Sequence, residues 1–304
     1  MNARRIVLFL ASVTVCLWTA SAHPGSGIVV DERGNVFFQD SVARTIWRIN
    51  PDGKVSAHHD KLGGHWMTLD GKDRFARAET KLVERIPSRE GSPALIVADG
   101  GAPIVLNAMG DLYYGLNVSP DGKVAVGMTR ISANGTQSEF APSFAKEIEK
   151  LGITGLASGL DGTVYAACLT AVFKLSTNGM FTRLASLVQP PECDSDAATP
   201  FLRGLDIDAN GTVYAAACGC RCVVKISPNG KVETVLKAER PWSPTGVAVQ
   251  NGELYVLEYT NANGAATEGW LPRVRKLAPG GRVTTLANIS EAQQRQQPNR
   301  LTIP

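Results

Sequence analysis

Four ionisable side chains are of the types that acid/base chemistry needs: His65, Arg203, Asp40 and Glu258. An imidazole and two carboxylates could relay protons, and a guanidinium beside them could hold an anionic substrate through charge-assisted hydrogen bonds. Trp66 adjoins His65 and Asp206 follows shortly after Arg203, which makes both, with Arg203 itself, candidates for contacting a ligand. A plainer reading stands beside this one. Asp40 and Glu258 would hydrogen-bond turn amides and His65 would pack against Trp66, because structural networks also gather charged groups. These residues lie far apart in the chain, so only long-range folding can bring them together.

The cysteines form a second group. Five follow the first 22 residues: Cys168, Cys193 in the segment PPECDSD, and Cys218, Cys220 and Cys222 in the segment CGCRC. An oxidising, exported setting favours disulfides. Cys193 with one of the CGCRC cysteines is the preferred bridge, and Cys218 with Cys222 across the turn is an alternative. The odd count leaves at least one thiol in a monomer. Zinc held by several thiolates is the rival, and a nucleophilic cysteine lacks a nearby His in sequence. Glu192, Asp194 and Asp196 suggest a cation site or simply a polar loop.

Export is expected from the N-terminus. Arg4 and Arg5 precede an apolar run from Ile6 to Thr19, followed by the small residues Ala20-Ser21-Ala22. This is the pattern of a cleaved secretory signal over residues 1–22, and the run is shorter than the roughly 20 apolar residues that span a bilayer. Removing Arg4 and Arg5 from 31 basic residues leaves 29 against 28 acidic ones, a net charge of +1. That balance supplies neither a basic stripe for nucleic acid nor a polybasic patch for membranes. The expected location is secreted or periplasmic, and the partner is a small molecule or protein that the sequence does not name.

The elements that must position these residues are short strands. A basic residue followed by Ile or Leu recurs as Arg48-Ile49, Arg85-Ile86, Arg130-Ile131, Lys174-Leu175, Lys225-Ile226 and Lys276-Leu277. Upstream of five of these, a turn glycine precedes an aromatic by three residues: Gly34/Phe37, Gly110/Tyr113, Gly162/Tyr165, Gly211/Tyr214 and Gly252/Tyr255. Blade 2 is irregular, with Asp73-Arg74-Phe75 in that place. Six copies at a period in the forties with strand-turn grammar indicate an all-β, six-bladed propeller of four-stranded antiparallel blades. The blades fall at 26–60, 64–98, 101–142, 153–189, 201–237 and 243–288, within a domain of 23–290 followed by a polar tail, 291–304. A short helical insertion is expected at Ser143 to Leu151, from Phe144, Ile148 and Leu151 at helical spacing. Long excursions at Asn117 to Gly127 and Thr260 to Trp270 join second and third strands. They fall on the face that also carries the connections between blades, which is therefore the face to search for function.

GLDIDANGTVYAA and TGVAVQNGELYVLEY match a known blade consensus, and the chain resembles the NHL-repeat and gluconolactonase-like six-bladed propellers. Such propellers include hydrolases, lyases and binding proteins. The resemblance implies a calcium site built from Glu, Asn and Asp ahead of the innermost strands. Here those positions hold Ser26, His65 (or Gly64), Ala102, Thr154, Arg203 and Thr245, which cannot supply the oxygen cluster that a hard cation needs. His58 and His59, at the end of an outer strand, lie roughly 14 Å from a residue starting an inner strand, too far to share a metal with His65. No metal or cofactor motif is evident, with calcium and zinc left open. Asp206 replaces Val29, Ala157 and Ala248 of sister blades, so it should be buried and answered by Arg203 or Lys225. The residues lead to a ligand-binding or protein-interaction propeller, and alternatively to a hydrolase or lyase acting on a small anionic or carbohydrate-derived substrate at the channel mouth.

Overall fold

A computed structural model describes residues 24–72, 75, 83–89, 92–98, 102–116, 127–148, 151–187, 193, 201–260 and 269–295. The expected signal, most of both long excursions and the last nine residues of the tail lie outside these. Blade 1 is β1 (Ile28–Val30), β2 (Val36–Asp40), β3 (Thr45–Ile49) and β4 (Val55–His59), paired antiparallel in chain order. Blade 2 is β5 (Trp66–Asp70), β6 (Val83–Ile86) and β7 (Ala94–Ala98). Blade 3 is β8 (Ile104–Leu106), β9 (Leu112–Leu116), β10 (Gly127–Ile131) and β11 (Gln137–Phe140). Blade 4 is β12 (Gly155–Ser158), β13 (Val164–Cys168), β14 (Ala171–Leu175) and β15 (Phe181–Ser186). Blade 5 is β16 (Leu202–Ile207), β17 (Val213–Ala217), β18 (Cys222–Ile226) and β19 (Val232–Lys237). Blade 6 is β20 (Trp242–Gln250), β21 (Glu253–Thr260), β22 (Pro272–Leu277) and β23 (Val283–Asn288). Helix α1 (Pro142–Glu147) follows blade 3, shorter than the sequence suggests but burying Phe144 and Ile148 as the spacing requires, and α2 (Glu291–Arg295) follows blade 6.

The two repeat markers are cross-strand partners. Phe37 faces Arg48, Tyr113 faces Arg130, Tyr165 faces Lys174, Tyr214 faces Lys225 and Tyr255 faces Lys276 across the second and third strands. Opposed residues on one sheet face are the unit of strand pairing, and Lys174 and Lys276 lie 5.9 and 6.0 Å from the rings they face. This explains why the two markers keep a common spacing.

Strand alternation closes the ring. Successive side chains leave opposite faces of a sheet, so Phe37 enters the core between blades 1 and 2 while Phe38 enters the core between blades 1 and 6. Six apolar clusters fill the six gaps between neighbouring blades, the last joining blade 6 to blade 1. The terminal blades are each built from consecutive strands, so no strand is exchanged to shut the ring. Closure comes from the shared core, from Thr245 Oγ1 donating to Gly25 O at 2.8 Å, and from the Tyr259 hydroxyl donating to Gln39 O. Helix α2 completes it. Gln294 is buried and its Nε2 donates to both carboxylate oxygens of Asp40, at 3.1 and 3.0 Å, and to Trp270 O at 3.0 Å.

Blade 2 departs from the expected layout. Its second position belongs to β7, which pairs with both β5 and β6, rather than to the segment around Phe75. The reason is burial: Ala94–Ala98 reads ALIVA and is buried at every position, as a central strand must be, whereas VERI exposes Glu84. Phe75 is instead a buried side chain of the core between blades 2 and 3.

Candidate functional site

Inner strands β1, β5, β8, β12, β16 and β20 surround the axis. At the end where they begin, the connections between blades and the second-to-third turns emerge together; this is the loop face. Four inner strands carry a glycine at one level: Gly27, Gly155, Gly204 and Gly246. A Cβ on Gly155 would lie 2.3 Å from Arg203 O, one on Gly204 2.8 Å from Gly246 Cα, and one on Gly246 2.2 Å from Ser26 O. At these three positions the inner strand abuts the next blade too closely for any side chain. The sequence signal was present as Ser26-Gly27, Thr154-Gly155, Arg203-Gly204 and Thr245-Gly246, and its meaning became legible only from the packing.

The loop face also holds most of the left-handed backbone outside glycine. Arg44, Lys61, Leu169, Phe201 and Arg221 have φ between 44° and 69° in its turns and connections, whereas Ala141 (φ 51°) packs against the turn at Gly179 and Asn251 (φ 53°) lies at the opposite end. There the turns use glycine, as at Gly211 (φ 80°) and Gly230 (φ 83°). Left-handed non-glycine residues store local strain, which concentrates where function resides.

Phe201 is the most informative of them. It is 37% exposed, and the Arg203 guanidinium lies 5.2 Å from its ring centroid. Arg203 is itself buried, beside the Cys218 thiol with which it hydrogen-bonds. Burial raises the Cys218 pKa, and Arg203 and Arg221 oppose that shift. An aromatic face backed by a fixed cation suits a ring-shaped or anionic ligand.

Of the acid/base candidates, His65 and Arg203 stand at inner-strand starts. His65 is half-buried, its backbone joining blades 1 and 2 through Ser26 N to His65 O at 2.8 Å. Trp66 is buried in the core between blades 2 and 3. Asp40 and Glu258 are not brought together. Asp40 shares its sheet face with Val36 and Phe38 and points towards blade 6, engaged by Ala43 N of its own turn and by Gln294; burial pushes its pKa up to about 6. Glu258 shares its face with Leu254 and Val256 and points away from blade 1, towards blade 5. It is fully buried, bridged by Arg273 and Arg275, with Arg273 also bonded to Glu239 and stacked 4.2 Å from the Trp242 ring.

Asp206 finds neither expected partner. Its Oδ2 accepts from Val249 N at 2.7 Å, linking the inner strands of blades 5 and 6, and its Oδ1 from Ile207 N, while Lys225 pairs with Glu233. The residue is half-buried rather than buried, and loss of solvation raises its pKa to about 6. Cys193 and Cys220 form a disulfide, one of the pairings expected. Cys218 and Cys222 are not bridged to each other; they and Cys168 are buried thiols. Cys218 faces the core of blades 6 and 1 and Cys222 that of blades 4 and 5, so the sheet of blade 5 separates them. His58 packs edge-on against Phe37, and burial with nearby Arg48 and Arg89 lowers its pKa to about 4. Among the described residues no group of three or more His, Cys, Asp or Glu is placed to hold a metal ion, and no helix is long and apolar enough to cross a membrane.

No protein-family model and no curated protein matches the chain. Solved structures do. A luciferin-regenerating enzyme aligns at TM-score 0.55 and 17% identity, over 89% of this chain and 94% of that one. A gluconolactonase from Xanthomonas campestris aligns at 0.53 and 13%, over 78% and 84%, and virginiamycin B lyase from Staphylococcus aureus at 0.52 and 15%, over 86% and 84%. The chain has the six-bladed propeller fold of the gluconolactonase-like and lyase structures. At these identities the likeness is one of fold, and the site must be argued from its own residues.

Proposed function

We propose that this is an exported propeller that binds a ligand through its loop face, with Phe201 and Arg203 as the contact platform. The observation that carries the reading is Phe201 itself, an exposed ring held in a left-handed backbone conformation over a buried arginine. The leader-like N-terminus and the Cys193–Cys220 disulfide support export. Binding is favoured over acid/base catalysis because both candidate carboxylates are engaged inside different gaps between blades. A hydrolase or lyase is the second reading, favoured by the shared fold and by His65 at an inner-strand start. Thermal-shift screening of a glycan, lactone and peptide panel should yield a stabilising ligand whose effect disappears in Phe201→Ala and Arg203→Ala. Turnover of a lactone or ester that vanishes in His65→Ala, with the fold intact, would sink the binding reading in favour of the enzymatic one.

A further inference from the structure

The far end of the channel carries a concavity separate from the loop face. On the turn face, among blades 1, 2 and 3 with Gln250 of blade 6, lies an open cavity of about 990 Å³. That is the upper end of the range for small-molecule sites, roughly 300–1,000 Å³. Its origin is the strand order of blade 2. In blade 1 a tight turn from Asp31 to Asn35 joins the first and second strands at this face. In blade 2 the neighbour of β5 is β7, so Gly71-Lys72 leaves the sheet and Pro93-Ala94 enters it with no such turn between them, and both pairs line the cavity.

Its charges are unequally available. Asp31 accepts from the amides of Arg33 and Asn35 and from Asn35 Nδ2, and Asp70 accepts from Phe75 N and faces Arg85 at 3.6 Å. Arg33, Lys72 and Arg89 line the same cavity, are exposed, and among the described residues form no ion pair. Glu32 is an exposed acid beside them. Ser88, Asn107 and Gln250 add neutral hydrogen-bonding groups to the wall.

We propose that this cavity is a second site, separate from the loop face, for a small sugar acid or sugar phosphate. Arg33, Lys72 and Arg89 take the anionic group, and the amides and hydroxyl take the sugar hydroxyls. The inference does not depend on the loop-face reading. Calorimetric titration of the intact protein with glucuronate, glucose 6-phosphate and glucose tests it. Saturable binding of at least one of the two anions is expected, with glucose much weaker. Binding of glucuronate alone would make the ligand a carboxylate, and of glucose 6-phosphate alone a phosphate. The Lys72→Ala/Arg89→Ala double variant should bind about tenfold or more weakly, while Arg282→Ala, an exposed arginine outside the cavity, should bind as the parent does. Both replaced residues are exposed, so an unchanged melting temperature shows that the fold is intact. Absence of saturable binding for both anions, equal affinity for glucose, or parental affinity in the double variant would overturn the proposal.

Discussion

Two buried carboxylates show how environment decides what an acid does. Asp40 has a folded-state pKa raised from 3.8 to about 6, chiefly by loss of solvation, against which the bonds from Ala43, Gln294 and Trp47 work. A raised pKa means that the folded state holds the proton more tightly than the unfolded chain. The contribution of this carboxyl to stability is therefore fully present below about pH 4 and declines as pH rises through 6. The loss amounts to at most about 3 kcal/mol. Asp40→Asn should flatten that part of the stability-against-pH curve in denaturant titrations, and an unchanged curve would show that Asp40 is solvated. Glu258 is buried too, but two arginines pair with it. Glu258→Gln leaves Arg273 and Arg275 without a buried counter-charge, and a loss of about 3–5 kcal/mol is expected by urea unfolding. An unaltered midpoint would remove the structural role assigned here.

At the level of elements, the inner strands are set by what cannot be added to them. Gly246→Ala would drive a methyl into the Ser26 carbonyl, a backbone atom that cannot swing away. A destabilisation of about 1–3 kcal/mol or more follows, readable as a lowered melting temperature, whereas Gly280→Ala, open on all sides, should leave it unchanged. The 3-10 turn Cys218–Cys220 between β17 and β18 is tied by the Cys193–Cys220 bond to the connection before blade 5. A sequence separation of 27 between the two cysteines corresponds to about 3–4 kcal/mol in the loop-entropy view. Cys193→Ser/Cys220→Ser should lose most of that, and retention of parental stability would mean that the bond adds nothing to the fold.

For the whole molecule, the ring is shut by a core, a few hydrogen bonds and one short helix. Gln294→Ala removes the link between α2, blade 6 and Asp40, so hydrogen exchange should accelerate first in blades 1 and 6. Uniform acceleration in all blades would mean that closure is not local. Much of this architecture was legible in the chain, because hairpin turns and strand alternation are local: the markers Tyr214 and Lys225 announce a strand pair from residues only eleven apart. The order of strands in blade 2 was not legible, since pairing β5 with β7 rather than with the next segment depends on which run is apolar enough to be buried on both faces. The same limit applied to the candidate site. Arg203, Asp206 and the CGCRC turn stood out as departures from their own repeat, and loop positions pointed to a bridge from Cys193 to that turn without choosing which of its three cysteines. The partners did not follow, because adjacency of blades 1 and 6 says nothing about which face of its strand Glu258 leaves. Sequence alone determined six blades, the register of five of them and the face on which to look for loops, all products of short-range periodicity. Only the tertiary structure decided that Asp40 and Glu258 are separated by the thickness of blade 6, that four glycines pack the axis, and that a cavity opens beside the paired β5 and β7 of blade 2. Those outcomes depend on contacts between segments far apart in the chain, and no local pattern encodes them.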